Sequence, residues 1–102
     1  MVQLMYASFR EFYPFYLSEH RNRICRRLHF TGSTLVLITL AWLAVSGHWT
    51  LWWLLPLFGY GCAWVGHFFF EKNRPATFSH PLYSFAGDWV MYAAMLRGKI
   101  SF

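Results

Sequence analysis

Two long stretches of the chain carry no charge. The first runs from Phe30 to Gly47 and reads FTGSTLVLITLAWLAVSG. The second runs from Trp49 to Phe70, interrupted in polarity only by His67. Eighteen helical residues rise roughly 27 Å, close to the ~30 Å hydrocarbon core of a bilayer. A short polar stretch, SGHWT at 46–50, separates the two runs and reads as a tight turn. The pattern therefore predicts two antiparallel spans, about 28–47 and 49–70, forming a hairpin. Pro56 is expected to kink the second span, which a helical bundle tolerates.

The flanking segments read differently. Residues 6–16 hold Tyr6, Phe9, Phe12, Tyr13, Phe15 and Tyr16, side chains that favour the headgroup region. Residues 1–19 are thus expected to lie at the interface, broken or kinked at Pro14. In SEHRN that follows, Asn22 is the expected N-cap of the first long helix. Residues 71–81 read as a loop punctuated by Pro75 and Pro81. From 82 to 96, Leu82, Phe85, Trp89, Tyr92 or Ala93, and Leu96 recur at helical spacing. That amphipathic segment is short for a span and carries Asp88, so an interfacial or re-entrant helix is expected. The predicted fold is all-α: one integral membrane domain, a helical hairpin with interfacial or re-entrant N- and C-terminal helices, without internal repeats.

Composition supports the bilayer. Of 102 residues, 57% are hydrophobic and 23% aromatic, more apolar surface than so small a soluble domain can bury. Aromatic richness also excludes disorder. The net charge of +5 is concentrated at span ends: Arg21, Arg23, Arg26 and Arg27 precede the first, and Lys72 and Arg74 follow the second. This suits anionic headgroups and places both hairpin ends on the cytoplasmic side, with Trp49, Trp52 and Trp53 belting the far interface. A bacterial inner membrane is expected rather than the endoplasmic reticulum. Nucleic acid is disfavoured as a partner, because the basic residues flank apolar runs and form no face of their own. Cys25 precedes the first run while Cys62 lies inside the second, so no disulfide is expected. MVQLMYASFREFYPFY lacks an uninterrupted apolar core, so no cleavable signal peptide is expected.

Sorted by depth in the hairpin, four of the five histidines fall on one side: His20, His29, His67 and His80, with Glu71 and Asp88 near them. His48 falls in the far turn. A lone histidine at a membrane boundary is ordinarily an interfacial hydrogen-bonder, but this grouping favours a metal site. One constraint applies. His20 and His29 are nine residues apart, so a continuous helix would set them on opposite faces, ~13 Å apart along the axis. They can share a metal only if the helix begins after His20, near Asn22. His67 and Glu71, four apart, lean to one face of an α-helix. Glu71 can instead pair with Lys72 or Arg74. Gly59, Ala63 and Gly66 read as a close-packing seam, or else as a groove for an acyl chain. Cys25 beside Arg26 is a weaker candidate for acylation.

These residues resemble the Mpo1-like family, whose fungal member is an iron-dependent 2-hydroxy-fatty-acid dioxygenase. The resemblance rests on His20, Asn22, Cys25 and His29 in YLSEHRNRICRRLH, and on Gly66, His67, Glu71, Pro75 and Ala76. It covers roughly residues 13 to 92. Cys25 stands where the family usually has asparagine. The fungal enzyme is longer, with four spans, so a hairpin of this kind is expected to dimerise to enclose substrate. His80 matches no motif of the family and stays outside the ligand set.

The resemblance implies Fe(II) held by His20, His29 and His67, with Glu71 as fourth ligand or orienting partner. Zn(II) and Mn(II) also accept these donors. It implies a fatty-acid substrate and loss of one carbon as carbon dioxide. Arg26, Arg27 or Arg74 are candidates to hold the substrate carboxylate, and Asn22 to donate to a bound oxygen species. Two rivals stand beside it: a small b-type haem protein with His29 and His67 as axial ligands, and a non-enzymatic lipid-organising membrane protein.

Overall fold

The structure is a computed structural model describing residues 6–102. The expectation that no cleavable signal peptide is present falls partly on residues 1–5, which lie outside the described residues. Four α-helices follow one another: α1 (Phe9–Ser18), α2 (Arg23–Ser46), α3 (Leu54–Val65) and α4 (Pro81–Leu96).

α1 opens where the Ser8 hydroxyl accepts the Glu11 backbone N–H at 3.3 Å. It continues through Pro14, so of the break or kink expected there the break does not occur. Proline forfeits one backbone bond there, but Phe12 and Tyr16 on the same helix are fully buried and hold it in place. These aromatics form a core with Ala76, Met91 and Met95, joining α1 to α4.

α2 starts at Arg23 because Asn22 caps it: its side-chain oxygen accepts from the N–H groups of Ile24 at 2.9 Å and Cys25 at 3.1 Å. The helix thus begins earlier than the predicted span and includes Arg26 and Arg27. It stops at Gly47, whose φ of 76° is left-handed and suits glycine.

The second apolar run is less regular than predicted. A 3₁₀ turn covers Trp49–Leu51, α3 follows, and a π-helix covers Gly66–Glu71. Pro56 is the third residue of α3. A first-turn N–H has no partner within the helix, so the proline starts α3 where a mid-span kink was predicted.

α2 and α3 pack antiparallel through small residues. A Cβ on Gly32 would meet Cys62 Cβ at 2.9 Å, one on Gly59 would meet Val36 at 3.3 Å, and one on Gly66 would meet Cys25 Sγ at 3.0 Å. Partner numbers fall as position numbers rise, the signature of an antiparallel pair. The segments Arg23–Ser46 and Trp49–Glu71 are long and apolar enough to cross a membrane. Only 22% and 17% of their most apolar windows are buried, unlike core helices of a soluble protein.

On α4, Leu82, Phe85 and Leu96 of the apolar stripe point outward, Leu82 at 83% exposure. The buried stripe is Ser84, Gly87, Met91 and Met95. Gly87 is the reason: a Cβ there would meet the Tyr16 ring at 2.9 Å, so the smallest residue sits where α1 crosses.

Candidate metal centre

The break between α1 and α2 lets His20 fold back from the connecting loop toward His29. His67 arrives from the π-turn that ends the second run. All three are buried, and their ligand atoms lie within 4.8 Å of one another.

Hydrogen bonding fixes their tautomers. His20 Nδ1 faces the Tyr16 carbonyl at 2.6 Å, and His29 Nδ1 faces the Cys25 carbonyl at 2.9 Å. Carbonyl oxygens only accept, so both Nδ1 atoms carry hydrogen. His67 Nδ1 faces Asn73 Oδ1 at 2.7 Å, and the Asn73 amide nitrogen donates to the Glu19 carbonyl at 3.1 Å. Asn73 therefore presents its oxygen to His67, whose Nδ1 also carries hydrogen.

Three bare Nε2 lone pairs are left facing inward. His20 Nε2 is 3.1 Å from His29 Nε2 and 2.9 Å from His67 Nε2. Neutral imidazoles in these tautomers have no proton to share there, so the lone pairs repel unless a cation lies between them. A proton is a poor candidate: burial, then the neighbouring His29 and His67, hold the His20 imidazole well below its ordinary value. The three histidines could hold a metal ion, with outer partners of the kind that orient histidine ligands.

The other candidate residues lie around this cluster. The i→i+5 winding of the π-turn separates His67 from Glu71. His67 enters the cluster, while the Glu71 carboxylate accepts the Asn22 backbone N–H. Glu71 thus ties the end of the second run to the start of α2. Asn22 spends its side-chain oxygen on the helix cap. Arg26 donates to the His20 and Arg21 carbonyls at 3.2 and 2.8 Å, bracing the loop that carries His20. Arg27 donates to the Phe102 carbonyl at 3.0 Å, and Arg74 lies over the Phe78 ring. Cys25 is buried with Sγ 3.7 Å from His29 Nδ1, against Gly66. His80 sits apart, bonded to Ser79 and packed on Tyr6 and Phe12. His48 stacks on Trp42 beside the far turn.

The histidine rings meet edge to face, with centroids 4.4, 4.4 and 4.9 Å apart. His20 fills the space between the other two, so no macrocycle fits between His29 and His67.

An almost wholly apolar cavity of about 460 Å³ begins at His29. Ser33, Val36 and Leu40 continue its α2 wall, with Gly59 of α3 and Asp88 of α4 opposite. His29 to Leu40 spans about 16 Å of helix. Gly59 and Ala63 line this cavity, and Gly59 also packs closely against Val36.

Sequence reading missed two participants. Asn73 follows Lys72, whose left-handed φ of 59° ends the π-turn, and an asparagine after an apolar helix reads as a helix stop. Tyr16 stacks on His20 at 4.0 Å and donates from its hydroxyl to Asp88. Its four-residue spacing from His20 is a helical signal that the break after Ser18 obscured.

A sequence model of the family described as 2-hydroxy-palmitic acid dioxygenase Mpo1-like matches residues 6–100. No curated protein and no solved structure matches the chain. The chain belongs to the Mpo1-like family.

Proposed function

We propose that this Mpo1-like protein is a membrane-embedded, non-haem iron dioxygenase acting on 2-hydroxy fatty acids. The observation that carries the reading is the convergence of three Nε2 lone pairs, each imidazole locked through Nδ1. Three imidazoles accept Fe(II), Zn(II) or Mn(II), and the family resemblance is what favours iron.

His20, His29 and His67 would hold the metal, which would supply Lewis-acid and redox chemistry toward dioxygen and the substrate's hydroxyl and carboxylate. Asn73 keeps the His67 Nε2 pointed inward, and Glu71 orients the cluster by fixing the start of α2. The acyl chain lies in the apolar cavity that begins at His29, along the spans and shielded from water. The site sits at the cytoplasmic end of the hairpin. Arg26, Arg27 and Arg74 lie outside the cavity lining, and holding the carboxylate within it does not require them. The overall change is 2-hydroxy acid plus dioxygen to the acid one carbon shorter, carbon dioxide and water.

The test is turnover. Iron-loaded protein in detergent, given 2-hydroxypalmitic acid and air, is expected to yield the fifteen-carbon acid, and His67→Ala to yield none. A protein that binds one iron per chain yet leaves several chain lengths unchanged would refute the dioxygenase reading.

A further inference from the structure

Asp88 is a carboxylate on the wall of a cavity that is otherwise almost entirely apolar. A buried charge is costly unless its oxygens are bonded. One oxygen is accounted for: the fully buried Tyr16 donates its hydroxyl to Asp88 Oδ1. That bond also joins Asp88 to the metal centre's surroundings, since the Tyr16 ring stacks on His20 at 4.0 Å and its carbonyl holds His20 Nδ1. Asp88 and His29 line the same cavity. A carboxylate oxygen only accepts, so a cavity ligand that bonds Asp88 must bring a donor. An acyl chain brings none, and neither does an ionised carboxylate. A hydroxyl on the carbon next to the carboxylate does.

We infer that Asp88, held by Tyr16, is the specificity-determining residue that accepts a hydrogen bond from the substrate's 2-hydroxyl and thereby selects hydroxylated over plain fatty acids. The inference rests on the fatty-acid reading above and adds a residue to it. No bond is broken in this role, because Asp88 acts at binding.

The experiment measures affinity without turnover. Iron-loaded protein in detergent under argon is titrated by displacement of a fluorescent fatty acid, using 2-hydroxypalmitic, 2-methoxypalmitic and palmitic acids. A hydrogen bond to a charged acceptor corresponds to about tenfold or more in affinity. Wild type is expected to prefer the hydroxy acid over palmitic acid by at least that factor, and to bind the methoxy acid, which has no donor, no better than palmitic acid. Asp88→Leu is expected to lose the preference for the hydroxy acid over palmitic acid. Asp88→Asn, whose amide still bonds a hydroxyl, is expected to recover part of it.

Equal preference in wild type and Asp88→Leu at equal iron content would overturn the inference, assigning the hydroxyl to the metal alone. So would a wild type that does not distinguish the hydroxy from the methoxy acid, a comparison that needs no variant to fold. If wild type displaces the probe with none of the three acids, the fatty-acid reading itself fails, and the inference with it.

Discussion

Asn73→Leu separates a metal site from a fortuitous cluster of histidines. Asn73 makes two side-chain bonds, accepting from His67 Nδ1 at 2.7 Å and donating to the Glu19 carbonyl at 3.1 Å. Leucine is close in size and makes neither. Loss of the first frees the His67 ring to exchange tautomers and rotate, and loss of such an outer partner typically costs about 10- to 100-fold in metal affinity, or about 1.4–2.7 kcal/mol. Loss of the second leaves the Glu19 carbonyl short of a donor and costs about 1–3 kcal/mol of folding stability. Asn73→Asp divides the two effects. It keeps an acceptor for Nδ1–H but loses the donor to Glu19, so metal affinity is expected to persist while stability drops. The assay is anaerobic competition for Fe(II) against a chromophoric chelator in detergent, beside a denaturation curve for each variant. Wild-type metal affinity in folded Asn73→Leu protein would refute the reasoning, because the tether would then not be setting the ligand.

Other perturbations follow from the same geometry. Gly66→Ala places a Cβ 3.0 Å from Cys25 Sγ and 3.1 Å from Cys25 Cα; overpacking of this kind costs about 1–3 kcal/mol, so lower stability together with weaker metal retention is expected from thermal scans and metal analysis. Burial raises the Asp88 carboxyl from 3.8 to about 6, against the lowering effect of the Tyr16 bond. Between those values the native protein holds a proton that the unfolded chain has released, so this contribution to stability falls as pH rises, by about 3 kcal/mol in all. His20, with its value lowered, has the opposite sign. Comparing Asp88→Asn with wild type across pH 4 to 6 isolates the Asp88 contribution, and an unchanged slope in the variant would contradict it. Gly87→Leu is expected to separate α4 from α1 at Tyr16, read as loss of soluble, monodisperse protein in detergent.

The long apolar runs were legible because the absence of charge over a span's length admits few alternatives. The start of α2 was legible too, since Asn22 is a strong cap and its position decided whether His20 could reach His29. What lay hidden depended on packing. The stripe of α4 that packs on α1 was one such feature, since sequence does not show that Gly87 meets the Tyr16 ring. An apolar residue on a helix meant for a bilayer does not reveal whether its neighbour is protein or lipid. The π-turn was equally hidden, because GHFFFE carries no signal for a changed winding. Its effect was to send His67 to the cluster and Glu71 to the Asn22 amide, although α-helical spacing set them side by side. Asn73 was legible only as a helix stop, since its partnership with Glu19 crosses 54 positions of sequence.

Whether the three locked imidazoles of His20, His29 and His67 hold one metal ion is read from metal stoichiometry. Protein purified anaerobically in mild detergent is assayed for elemental metal content beside a visible spectrum, with His67→Ala in parallel. The expected result is about one iron per chain without a haem band, and loss of that iron in the variant. Protein that holds no stoichiometric metal even after reconstitution with ferrous iron would contradict the account.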